Sequence, residues 1–206
     1  MKRVFVLPLV FLLSGCAVFG VNGVESAPYT LLTADEGARV EVRTYESLVL
    51  VSASMQSNAF RRLFGYISGN NKGAKEIAMT APVFMQNQAK GMEIAMTAPV
   101  LMSAGEGGGI MSFVMPSKFT LETTPEPLDP TLVVSEVKGY TAAAIQFSGT
   151  INERSVVKHT KELQKWIAQN NYMALSEPVT AGYDSPFTIP SMRRNEVLIA
   201  VAKRVD

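Results

Sequence analysis

Two residues with distinctive chemistry occur once each in this 206-residue chain, Cys16 and His159. One thiol cannot close an internal disulfide, and one cysteine with one imidazole cannot make a Cys/His zinc site. A Ser-His-acid hydrolase would have to use His159, yet no Gly-x-Ser-x-Gly elbow occurs. Carboxylate pairs such as Asp35 with Glu36, or Asp184 with Glu196, have only their nearness in sequence to recommend them. No catalytic set is expected. Methionine offers softer chemistry: of 11, seven stand between Met79 and Met115, namely Met79, Met85, Met92, Met96, Met102, Met111 and Met115. Thioethers select Cu(I), which makes a Met-rich copper binder one possibility; the filling of irregular core gaps is the other.

Charge and the first residues narrow the setting. Lys plus Arg number 19 against 18 Asp plus Glu, with no basic run, so nucleic acid is not an expected partner. A hydrophobic fraction of 47% is enough for a buried core and excludes disorder as the main state. Residues 1–15 have the layout of a secretory signal: Lys2 and Arg3, an apolar run from Val4 to Leu13, then small residues. That run is too short for a membrane span, which needs about 20 residues. Leu13-Ser14-Gly15-Cys16 resembles the bacterial lipoprotein box, which implies cleavage before Cys16 and acyl chains carried on that cysteine. Ala17, where inner-membrane lipoproteins have a retention Asp, favours the periplasmic face of the outer membrane. Residues 16–28 then read as a lipidated tether and 29–206 as the folded domain.

The elements that must position any site follow from periodicity. Val40, Val42 and Thr44 alternate with Glu41, Arg43 and Tyr45, predicting a half-buried strand, with a second strand over Leu48–Met55. Ser57 or Asn58 caps a predicted helix that buries Phe60, Leu63, Phe64 and Ile67 and leaves Arg61, Arg62 and Tyr66 on its other face. The octapeptide EIAMTAPV at 76–83 recurs at 93–100, predicting two adjacent strands, each with its proline at an edge or bulge. Ile110–Met115 is strand-like, and 121–130 is a Pro-rich connector. Strands follow at Thr131–Val137 and Tyr140–Phe147. Asn152 caps the longest helix, with Val156, Leu163, Trp166 and Ile167 inward and His159 partly exposed. Strands over Tyr172–Leu175 and Val197–Val201 close the chain. Strand, helix and strands thus occur twice, which predicts an α+β fold of two similar halves with largely antiparallel sheets and two helices outside.

In this order the pieces resemble the SOUL haem-binding protein family. The likeness is carried by Ala59-Phe60-Arg61-Arg62-Leu63 with Tyr66-Ile67-Ser68-Gly69-Asn70, both IAMTAPV copies, Phe113-Val114-Met115-Pro116, Pro125-Glu126-Pro127, and Gly182-Tyr183-Asp184-Ser185-Pro186 leading into Arg193-Arg194-Asn195-Glu196-Val197. The resemblance implies a distorted antiparallel β-barrel of two pseudo-symmetric halves with two flanking helices, binding haem or another tetrapyrrole in an open apolar cleft without catalysis. It places the cleft between the first helix, through Arg62 and Tyr66, and the stretch before the last strand, through Tyr183, Phe187, Met192 and Arg193. His159 is expected to be an ordinary helix-surface histidine. Haem would then be held by apolar contact and propionate pairing, or by Tyr66, Tyr183 or Met192. A structural or interaction module of the envelope that has lost the ligand is the alternative.

Overall fold

The computed structural model describes residues 24–56, 58–86, 109–185 and 187–204. The predicted signal, Cys16, the second EIAMTAPV copy, Met92, Met96 and Met102 lie outside these residues. Among those described, no helix is long and apolar enough to cross a membrane.

The alternation that opens at Val40 continues for 15 residues as β3 (Val40–Ser54), one strand where two are predicted. Likewise β6 (Val133–Phe147) is a single 15-residue strand. The two pair antiparallel from Val40 opposite Ile145 to Ser52 opposite Val133. Both change which parity faces inward near their centre. Tyr45 and then Leu48 point to the same interior, as do Val137 and then Tyr140. Gly139, with φ 62°, absorbs the twist on β6. The slip occurs on both strands together, so their register is kept, and to a two-residue period it looks like a break between strands.

The remaining strands close a ring: β3 pairs β5 (Ile110–Val114), which pairs β4 (Thr80–Gln86); β4 pairs β8 (Val179–Gly182), β8 pairs β9 (Asn195–Lys203), and β9 pairs β6. Every pairing in the ring is antiparallel. The halves correspond as β3-α1-β4-β5 and β6-α2-β8-β9, with α1 at Ala59–Ile67 and α2 at Glu153–Gln169. The predicted α+β barrel of two pseudo-symmetric halves is therefore the observed fold. Outside the ring, β2 (Thr30–Asp35) pairs β3 and β7 (Tyr172–Ala174) pairs β9. The folded part begins before Tyr29, because β1 (Glu25–Ser26) runs parallel to Thr80–Ala81 and Ala27 is buried. Pro82 sits at the register shift between Thr80 and Val83, the bulge that a residue without an N–H requires.

Three apolar clusters result. Tyr45, Leu48, Phe84, Val114 and Leu198 with several alanines fill the barrel. Against its outer wall α1 buries one cluster, and α2 buries another through Leu163, Trp166 and Ile167. Met111 and Met79 pack on the α1 cluster and Met115 is inside it, the gap-filling role of methionine. His159, predicted as partly exposed, is buried instead: its ring stacks on Phe147 at 4.3 Å and its Nδ1 lies 2.7 Å from the Ser155 carbonyl oxygen.

Helix α2 starts with the predicted Asn152 cap, whose side chain accepts from the Ser155 N–H at 2.9 Å while the Ser155 hydroxyl accepts from the Asn152 N–H. Asn152→Ala should remove about 1 kcal/mol, read as a fall in melting temperature of roughly 2–4 °C.

Candidate functional site

Residues 43 and 45 lie on the strand face opposite Val40 and Val42, and in a closed barrel that face is the interior. Arg43 therefore enters the barrel where β3 begins, with its side chain 0% exposed. It meets Glu196 from the start of β9 and Tyr183 from just beyond β8. Arg43 Nη2 donates to Glu196 Oε2 and, at 3.1 Å, to the Tyr183 hydroxyl, which in turn donates to Oε2 at 2.6 Å. Arg194 Nη2 donates to Glu196 Oε1 at 2.7 Å. Tyr29 and Tyr45 flank the Arg43 guanidinium at 4.7 and 5.6 Å, and Arg194 lies 4.4 Å over Tyr183. Among the described residues Arg43 Nε has no hydrogen-bond partner.

Burial alone would push the Glu196 carboxyl up; Arg43, the Tyr183 hydroxyl and Arg194 more than reverse this and hold it below its ordinary value. Burial, then the Glu196 charge, push the Tyr183 phenol far up. A carboxylate whose pKa is depressed on folding stabilises the fold above its unfolded value of 4.5, and that contribution is lost as pH falls through the folded value. Denaturant midpoints should thus fall steeply below about pH 4.5. Glu196→Gln should flatten that part of the curve, and an unchanged acid limb would show that Glu196 does not govern it.

Two depressions of about 230 Å³ each adjoin this cluster. One is walled by Asp35, Glu36, Arg39, Glu41, Gln146 and Glu196, the other by Val24, Ser26, Ala81, Tyr183, Met192 and Arg194. Both are below the roughly 300–1,000 Å³ of ordinary small-molecule pockets.

The residues expected to form one cleft stand in two groups. Helix α1 starts from the end of the barrel where β3 finishes, whereas Tyr183–Arg194 joins β8 to β9 at the end where β3 begins. On α1 the buried side chains are Ala59, Leu63, Tyr66 and Ile67, so the helix is turned from the predicted face. Tyr66 belongs to the core, not to the outer surface: it is 0% exposed and donates to the Pro125 carbonyl at 2.7 Å. Burial raises its phenol to about 12. Arg62 is paired with Asp129 at 2.9 Å. Hydrogen bonds from the Thr131 hydroxyl and N–H, joined by Arg62, lower Asp129 to about 2. In the second group Tyr183 is held in the ion-pair cluster, and Met192 shares a depression with it. Phe187 is 82% exposed, and Arg193 Nε donates to the Thr188 carbonyl.

The turn of α1 puts Phe60 and Phe64, predicted as core, half in solvent at 46% and 48%. Their rings stack at 6.1 Å with 13° between planes, and the edge of Phe60 meets Phe113 at 5.6 Å. Arg61 is exposed beside them. This aromatic ledge was missed because the two phenylalanines are the largest wholly apolar side chains on the helix; the signal available was that Ala59, Leu63, Tyr66 and Ile67 also form a helical stripe.

Among solved structures the fold resembles the C-terminal domain of EcmrR (TM-score 0.55, 12% identity, 80% of this chain and 98% of that one). It also resembles a hydrolase from Listeria innocua (0.53, 8%, 80% and 92%) and an uncharacterized conserved protein from the same organism (0.56, 9%, 80% and 93%). At such identities the likeness is one of fold alone. No curated protein matches the chain. The model of the SOUL heme-binding protein family matches residues 24–90 and 84–200, in two pieces that meet just before the second EIAMTAPV copy. With most of its length matched, this chain belongs to the SOUL heme-binding protein family.

Proposed function

We propose that the protein is a non-catalytic envelope lipoprotein, anchored through Cys16 on the periplasmic side of the outer membrane, that reversibly holds haem or a related tetrapyrrole on the ledge of α1. The family supplies the ligand class. The observation that carries the placement is the pair Phe60 and Phe64, stacked on each other yet half exposed on a helix whose other face is packed.

The described residues fit a tetrapyrrole held by its face and rim. They do not fit one whose iron is taken by His159, Tyr66 or Tyr183. The His159 ring is buried against Phe147, Tyr66 is buried and bonded to Pro125, and Tyr183 is locked by Arg43 and Glu196. Haem brings its own redox chemistry when bound. What the chain supplies is apolar cover from Phe60 and Phe64 and, at Arg61, a guanidinium for a propionate. Glu196, the buried carboxylate that an enzyme would use as a base, has its oxygens filled by Arg43, Arg194 and Tyr183 and a depressed pKa, both of which oppose proton uptake.

Haem titration should give a saturable, red-shifted Soret band, and metal-free protoporphyrin should bind with similar affinity if binding is by face and rim, because His159, Tyr66 and Tyr183 are all engaged inside the protein. Unsaturable uptake of both would leave the ligand-free envelope module. Preference for haem by orders of magnitude would refute face-and-rim binding.

A further inference from the structure

A second apolar surface lies at the end of the barrel where β3 begins. The loop from Tyr183 to Arg194 is closed at its base, where Tyr183 N–H donates to the Arg194 carbonyl at 3.2 Å and Arg194 N–H to Asp184 Oδ2 at 2.6 Å. It carries Phe187, Ile189 and Met192, exposed by 82%, 41% and 45%. Leu31 and Leu32 of β2, which pairs the first residues of β3, are exposed by 50% and 54%. The N-terminal segment enters at the same end: Val24 and Ser26 wall the depression that Met192 and Arg194 also wall.

We propose that this end of the barrel, with Phe187 at its tip, seats on the phospholipid surface to which the chain is tethered. The inference rests on acylation of Cys16. Eight peptide steps separate Cys16 from Val24, and they span at most about 28 Å whatever their conformation. A domain of this size is about 40 Å across. So short a connection holds the end bearing Val24 against the leaflet, and that end carries Phe187, the large hydrophobic side chain most exposed among the described residues. A solvent-facing phenylalanine next to arginines is the pattern of an interfacial contact, in which the ring enters the acyl boundary and guanidiniums stay among the phosphates. On this account Phe187, Met192 and Arg193 face lipid, and the tetrapyrrole ledge of α1 is left free.

The test uses the full lipidated chain in vesicles of phosphatidylethanolamine and phosphatidylglycerol. Acylation removes the Cys16 thiol, so Phe187→Cys, Met192→Cys, Val133→Cys and Met173→Cys each supply one site for an environment-sensitive fluorophore. Val133 and Met173 lie on strands at the other end of the barrel and are exposed by 52% and 50%. Nitroxide-bearing lipids should quench the label at 187 and 192 several-fold more than at 133 and 173, with a blue-shifted emission. Equal quenching at all four positions while the protein still floats with vesicles overturns the seat and leaves the anchor standing. Failure of the unmodified chain to float overturns both.

Discussion

Phe60→Ser combined with Phe64→Ser is expected to weaken haem binding roughly 30- to 150-fold, because each lost ring removes apolar cover and a stacking partner and the pair together contributes about 2–3 kcal/mol. Both side chains are half exposed, so the double variant should keep its far-UV circular dichroism and lose no more than a few degrees of melting temperature. The comparison is Tyr66→Phe. Its hydroxyl is bonded to Pro125 inside the protein, so this change should lower stability and leave the Soret titration unaltered. A Tyr66→Phe variant with weakened haem binding and normal stability, beside an unaffected double serine variant, would return the ligand to the site expected from the sequence.

The largest stability effect is expected from Glu196→Ala. It removes the buried counter-charge of the Arg43 guanidinium and leaves only the part-exposed Glu41, 3.4 Å away, at a cost of about 3–5 kcal/mol. At about 2–4 °C per kcal/mol for a domain of this size, the melting temperature falls by roughly 6–20 °C. Adding Arg43→Met to Glu196→Gln should recover most of the loss, since the charge is removed while an amide oxygen still accepts from Tyr183 and Arg194. A drop of under about 1 kcal/mol for Glu196→Ala would mean that water reaches the cluster and the ion pair behaves as a surface one. The same double variant should also flatten the acid limb of the stability profile, leaving the share that Asp129 contributes, which ties the two experiments to one buried carboxylate.

Much of the architecture was legible in the sequence because it follows from local rules. Asn152 caps α2, Pro82 marks a bulge, and alternation located both long strands although it divided each in two. The site was less legible because its determinants are distant. Arg43 and Glu196 are 153 positions apart. The alternation that includes Arg43 says that one face is polar; only ring closure makes that face the interior. The orientation of α1 was likewise decided from afar: burial of Tyr66 requires an acceptor for its hydroxyl, and Pro125 provides it from 59 positions away. Without that acceptor, the phenylalanines would be the better choice for the inner face. His159 follows the same pattern, since the stacking surface of Phe147 comes from the preceding strand.

Ring closure also bears on how copies of this protein behave when crowded. A sheet with a free border offers unpaired N–H and C=O groups on which a neighbouring chain can build, the common route to aggregation. Here each of the six ring strands is flanked on both sides, and among the described residues such borders are confined to β1, β2 and β7, of two, six and three residues. The longest of these, β2, is broken by a register shift between Leu31 and Thr33. Among the described residues the fold therefore offers a neighbouring copy little border on which to extend a sheet.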